Sequence, residues 1–200
     1  FLGRSLLGFT DYHVAEVLFS TTAILFLVLA IKTVLQKELT ISHVKKLDWK
    51  TIRKPAIYSL LAGLFLGTYL NTWPGGLLFF FIISIYFIIQ FIIDHTRQKN
   101  TEYLLITGTL LFFIADIVFL SVYHKEMIYN APLIIALFIP AAMYGISWLM
   151  AHRNIVRVYY PLVIVGSGLA GLAIIYFASP SLFSSIVSAF KIFIPSGASL

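Results

Sequence analysis

Apolar positions along the chain fall into six long runs, near 14–35, 55–71, 75–93, 103–122, 131–150 and 159–178. Each has about the length needed to cross a hydrocarbon core as a helix, roughly 20 residues. Only helices or closed barrels satisfy backbone groups in lipid, and continuous runs of this length predict helices. The pattern therefore predicts an all-α, polytopic membrane protein with about six transmembrane helices. The connections fall at 36–54, the tight "NTWPGG" turn, 94–102, 123–130 and 151–158. A polar stretch follows residue 178, with a short surface helix expected around "SLFSSIVSAFKIF".

Composition agrees. The 200 residues are 60% hydrophobic and 11% charged, with a mean hydropathy of +0.96. A soluble domain carries about 25% charged residues. The formal charge of +6 suits anionic lipid, and no nucleic-acid partner is expected. The absence of cysteine removes disulfides, thiolate chemistry and cysteine metal sites. The chain opens at Phe1 and closes on "FIPSGASL", which reads as an excerpt of a longer protein, a single transmembrane domain over 1–200 without its soluble C-terminal domain.

Basic residues set the expected sidedness. Lys32, Lys37, Lys45, Lys46, Lys50, Arg53, Lys54, Arg97, Lys99, Arg153 and Arg157 share one side, while Arg4, Lys125 and Lys191 share the other. The positive-inside rule makes the first set cytoplasmic. Trp49 and Trp148 then sit near cytoplasmic interfaces. The segment "LGFTDYHVAE", residues 7–16, lies at the outer mouth of the first span.

That segment concentrates the candidate chemistry. Thr10 or Asp11 suits a helix N-cap, and Glu16 suits an early helical turn. His13 is not explained that way. A carboxylate and an imidazole two residues apart can face one ion where the backbone turns or extends, which makes Asp11 and His13 candidate metal ligands. Their donor set suits Mn²⁺ first, with Mg²⁺ or Zn²⁺ as alternatives. Two ligands are not a full shell, so further ligands must come from elsewhere. Arg4 is either an interfacial anchor or a phosphate contact. Glu16 is either a partner that orients His13 or a solvated helix start.

"GRSLLGFTDYHVAEVLF" resembles the second acidic motif of the oligosaccharyltransferase catalytic subunits, in particular the archaeal AglB type; bacterial PglB and the eukaryotic catalytic subunit are of the same family. The match is Asp11-Tyr12-His13, with "GRS" and "G-F-T" ahead of it. The resemblance implies a GT-C type membrane domain and transfer of a glycan from a dolichol-linked phosphate or diphosphate to Asn in Asn-x-Ser/Thr. It implies Asp11 and His13 as ligands of a divalent metal that acts on the lipid-phosphate leaving group. Its partners would be a lipid-linked oligosaccharide, an acceptor polypeptide and membrane lipid. Its location would be the cell membrane, multi-pass, with Asp11 and His13 outside. The family's remaining carboxylates lie beyond this excerpt, so no catalytic residue is assigned within it and the fragment is expected to be inactive alone. The alternatives are another polytopic enzyme using a lipid-phosphate sugar, such as a protein mannosyltransferase, or a transporter core.

Other motifs read more plainly. Asp116 lies within a span, where a carboxylate is costly and usually faces a partner or a wet cavity. Gly63 and Gly67 form a Gly-x-x-x-Gly pair for close helix packing. Gly166, Gly168 and Gly171 match a dinucleotide fingerprint, but no acid follows Glu126, and small residues in a packed membrane helix explain them better. His43, His95 and His152 fall on the cytoplasmic side, away from Asp11. His124, Lys125 and Glu126 read as a solvated loop, and Trp73 to Gly76 as a turn. None of Asn71, Asn100, Asn130 and Asn154 has Ser or Thr two residues on.

Overall fold

The computed structural model describes residues 12–72, 76–122, 127–181, 183, 184 and 187. Among them the chain forms seven α-helices and no strand. They are α1 (Tyr12–Lys37), α2 (Ile41–Lys45), α3 (Trp49–Thr72), α4 (Gly76–Thr96), α5 (Glu102–Val122), α6 (Met127–His152) and α7 (Tyr160–Ala178), with a 3-10 turn at Arg157–Tyr159 before α7. Residues 180, 181, 183, 184 and 187 are helical too, within the predicted surface helix. Five helices are long and apolar enough to cross a membrane: Val14–Lys37, Gly76–Thr96, Glu102–Val122, Leu133–His152 and Arg157–Ala178.

The expected second span, 55–71, is the one that changes. It is part of α3, which is 24 residues long and begins at Trp49. Its first turns carry Lys50, Arg53 and Lys54, and it is not among the five apolar helices. Asp48 caps its start. The Asp48 carbonyl accepts from Thr51 and Ile52 N–H at 3.1 and 3.0 Å, and Oδ2 accepts from the Thr51 hydroxyl at 2.7 Å. The Thr51 hydroxyl first, then the Thr51 and Lys50 backbone N–H groups, hold the Asp48 carboxyl below its ordinary range. Pro55 sits inside the helix without breaking it. A proline leaves the carbonyl four residues back without its amide partner. Here that carbonyl, on Thr51, accepts instead from Lys37 Nζ at 3.3 Å, and Lys37 Nζ also donates to the Lys50 carbonyl. The expected 36–54 connection is thus largely helical, and Ile41 N–H within it donates to Glu102 Oε2 at 2.7 Å.

Small residues bring the helices together. On α1 the buried stripe is Ala23, Leu27, Ala30 and Val34, the i, i+4, i+7 spacing of one helix face. It lies against α3, where Phe26 stacks on Phe65 with centroids 5.6 Å apart. Gly63 and Gly67 face α5 directly. A Cβ at Gly67 would lie 2.7 Å from the Ala115 carbonyl and 2.7 Å from Val118 Cβ, and one at Gly63 would meet the Leu111 carbonyl. The Gly-x-x-x-Gly pair is a packing device, as its spacing predicts. Gly108 plays the same part on the other face of α5, where a Cβ would lie 2.8 Å from Pro140 of α6 and 3.0 Å from Phe87 of α4.

Helix α7 is the exception. Of its residues only Tyr160 is buried, and a Cβ at Gly166, Gly168 or Gly171 would meet nothing within 4 Å. The glycines are helical, as expected, but the described residues supply no neighbour packed on them.

Candidate functional site

The sequence motif falls at the entry of α1. Among the described residues α1 starts at Tyr12, one position after Asp11 in the sequence, and His13 is its second residue. Arg4 and Asp11 lie outside the described residues, as does the side chain of His13. An acidic residue at this boundary meets the positive end of the helix dipole.

Glu16 is one turn deeper, half-buried. The hydroxyl of Tyr69, on α3, donates to Glu16 Oε1 at 3.4 Å. Tyr69 is itself buried, with its ring edge-on to Phe79 of α4 at 5.3 Å. The three helices α1, α3 and α4 therefore meet just below the motif, and Tyr69 ties the Glu16 carboxylate to that junction. Among the described residues no group of three or more His, Cys, Asp or Glu is placed to hold a metal. A metal shell would have to draw on Asp11 and His13, outside the described residues, and on ligands from elsewhere.

Asp116 is not brought to this junction by any described contact. It is 5% exposed on α5, and both its carboxylate oxygens are buried without a hydrogen-bond partner among the described residues. The expected pairing with a hydroxyl or cation of a neighbouring helix is absent there. It shares the α5 stripe of Gly108 and Phe112, at the helical spacing of four residues. It is not the only carboxylate embedded in a span either.

A second polar cluster, which sequence reasoning missed, lies at the opposite end. The expected 94–102 loop begins later, because α4 runs to Thr96 and buries Asp94 and His95. Asp94 accepts from the Tyr103 hydroxyl at 2.5 Å and from Gln90 Nε2 at 3.0 Å. His95 Nδ1 lies 2.7 Å from Ser147 Oγ, and its ring stacks on Tyr160 at 4.1 Å. The Tyr160 hydroxyl donates to the Met143 carbonyl at 2.8 Å. The signal available in the sequence was Gln90, Asp94 and Tyr103, polar residues one turn and one connection apart beside apolar runs.

Long apolar helices joined at basic ends define a polytopic helical membrane domain. The family model described as "Oligosaccharyl transferase STT3, N-terminal" matches residues 1–193. The chain belongs to that oligosaccharyltransferase family. Dolichyl-monophosphooligosaccharide–protein glycotransferase AglB of Haloferax volcanii is 25% identical over 198 residues, covering 95% of this chain and 19% of the relative. The chain thus spans about a fifth of that relative's length. No solved structure matches it.

Proposed function

We propose that the whole protein is an oligosaccharyltransferase that moves a glycan from a dolichol-linked phosphate or diphosphate to Asn in Asn-x-Ser/Thr, with a divalent metal held in part by Asp11 and His13. The observation that carries this reading is family membership over 1–193, with Asp11-Tyr12-His13 at the helix entry. The Haloferax volcanii relative's name specifies a dolichyl-monophosphooligosaccharide donor, and a single phosphate is the first donor to try. Mn²⁺ is the first metal to try, then Mg²⁺ and Zn²⁺. The metal would supply Lewis-acid stabilisation of the departing phosphate.

The residues of this chain contribute position and charge. A carboxylate and an imidazole at a helix mouth sit at the water–lipid boundary. There they reach a lipid-borne phosphate without charge entering hydrocarbon. Glu16, held by Tyr69, lies three residues from His13 and orients the first turn of α1. Arg4 would contact the donor phosphate. In this reading the motif faces the outside of the cell membrane, α3 is a sixth span, and the soluble domain and other carboxylates belong to the rest of the polypeptide. The residues described here do not act alone.

The test is glycan transfer by the full-length protein in membranes, with an Asn-x-Thr peptide and a lipid-linked donor, across a Mn²⁺ titration. Asp11→Ala and His13→Ala should abolish transfer or sharply raise the metal requirement. Tyr69→Phe should keep the fold and raise the metal requirement more modestly. Wild-type behaviour in both motif variants would leave the enzyme class standing and remove the metal assignment. An active preparation that needs no divalent metal would do the same.

A further inference from the structure

The polar cluster at the basic end of the bundle contains two buried groups without partners. His95 is 5% exposed, yet its Nε2 has no hydrogen-bond partner among the described residues. Arg157, in the 3-10 turn before α7, has its Nη1 buried and equally unpartnered. The two are neighbours. The end of α4 packs on the 3-10 turn, the His95 ring stacks on Tyr160 three residues after Arg157, and the Arg157 charge acts on His95.

The missing partner has a definite chemistry. Arginine stays charged in proteins and offers only donors. His95 Nδ1 is 2.7 Å from Ser147 Oγ, and that oxygen is 3.5 Å from Thr101 Oγ1. Donation from Thr101 through Ser147 to Nδ1 leaves the hydrogen on Nε2, while the reverse chain leaves Nε2 an acceptor. Arg157 is a cationic donor in either case, and His95 Nε2 is a second donor in the first tautomer. The acid nearest in sequence is not available, because Asp94 is held by Tyr103 and Gln90. No aspartate or glutamate occurs in α7, the 3-10 turn or α6. A buried guanidinium nitrogen without a partner is costly, and the group that satisfies it best is a planar or tetrahedral oxyanion.

The surroundings identify its source. Val156, Val158, Tyr159 and Leu162 flank Arg157 and are all exposed. A half-buried cation ringed by exposed apolar side chains matches a molecule with an anionic head and an apolar tail. We propose that Arg157 and His95 form a binding site for a phosphate group, filled by the phosphodiester of a membrane phospholipid whose chains lie along α7. This inference depends on the membrane reading of the helices and not on glycan transfer.

The test uses delipidated full-length protein in neutral detergent, titrated with phosphatidylglycerol and read by native mass spectrometry. Diacylglycerol, which has the tails without the phosphate, and glycerol phosphate, which has the phosphate without the tails, are the controls. The expected result is retention of phosphatidylglycerol but not diacylglycerol, weakened about tenfold or more by Arg157→Gln. Arg153→Gln, at an exposed arginine four residues earlier, should leave it unchanged. Equal retention by Arg157→Gln and wild type would overturn the site. Equal affinity for glycerol phosphate would overturn the lipid as its occupant. Should Arg157→Gln not fold, Arg157→Lys and His95→Asn decide: weakened retention by either supports the site, and wild-type retention by both overturns it.

Discussion

Gly67→Ala adds one methyl group at a close approach of α3 to both backbone and side chain of α5. The new Cβ would sit 2.7 Å from the Ala115 carbonyl and 2.7 Å from Val118 Cβ. Carbon atoms touch at about 3.5–4.0 Å. One of the two obstacles is backbone and the other is a β-carbon, so neither can swing aside as a flexible side-chain tip would. The helices must part by most of an ångström, and every contact along that seam loosens. Overpacking of this kind costs about 1–3 kcal/mol. Alanine returns up to about 1 kcal/mol through better helix propensity. The net loss should be about 1–2 kcal/mol, read as a lower apparent Tm. Differential scanning fluorimetry of the full-length protein in detergent reads this at one fixed heating rate, since membrane proteins unfold irreversibly. Gly166→Ala is the matched control, because its Cβ meets nothing within 4 Å. It should be neutral or slightly stabilising. If the two substitutions give the same Tm, the close approach of α3 and α5 is not what Gly67 is for, and the packing argument fails.

Four further outcomes follow from single interactions. Asp116→Leu keeps roughly the shape of a buried carboxylate that has no hydrogen-bond partner among the described residues; it should raise the Tm, by about 1–3 kcal/mol in stability terms, and a fall would show that an undescribed group pairs with it. Tyr103→Phe removes the hydroxyl 2.5 Å from the buried Asp94 and should cost about 1–3 kcal/mol, measured the same way. Lys37→Met withdraws the ammonium that covers the Thr51 carbonyl freed by Pro55; the loss should shrink in a Pro55→Ala background, where the alanine amide can reach that carbonyl, and a double-mutant cycle without coupling would reject the idea. Gln98→Gly relieves a left-handed backbone position with φ of 59° and should stabilise by about 1 kcal/mol or less; a lower chemical or thermal midpoint would count against it.

The positions that misled the sequence reading are ones where the usual punctuation is missing. Expected and observed helix ends differ most at the basic end. There α1, α2, α4 and α6 all stop through the same device, with Glu38, Leu47, Gln98 and Asn154 in the left-handed conformation. At each, one amide reaches back five residues and the one before it reaches back three, as in Leu39 N–H to the Val34 carbonyl at 3.2 Å and Glu38 N–H to the Leu35 carbonyl at 3.4 Å. This is the helix stop that glycine normally marks. With no glycine at any of the four, nothing in the composition announced it. Helix α3 failed from the other direction. Pro55 and the basic run before it read as the end of a connection, because the carbonyl that proline frees is satisfied by Lys37, 14 residues earlier than Thr51. A long-range repair of that kind leaves no local trace.

The periodic and small-residue signals were legible because they act locally. Apolar runs of membrane length gave the helices, and the four-residue spacing of Gly63 and Gly67 announced a close helix approach, which the structure places against α5. The same logic overreached at Gly166, Gly168 and Gly171, where small residues line a helix that the described residues leave uncovered. Glycine spacing states that a close approach is allowed; it does not state which surface makes the approach. The candidate site divides along the same line. The Asp11-Tyr12-His13 spacing stands out in any window, while the groups that hold its neighbour come from elsewhere in the chain. Tyr69 is 53 residues from Glu16, and Ser147 is 52 residues from His95. Both pairs depend on which faces of which helices meet. In this bundle those faces are selected by glycines and alanines, whose contribution is the room they leave and not any contact they advertise.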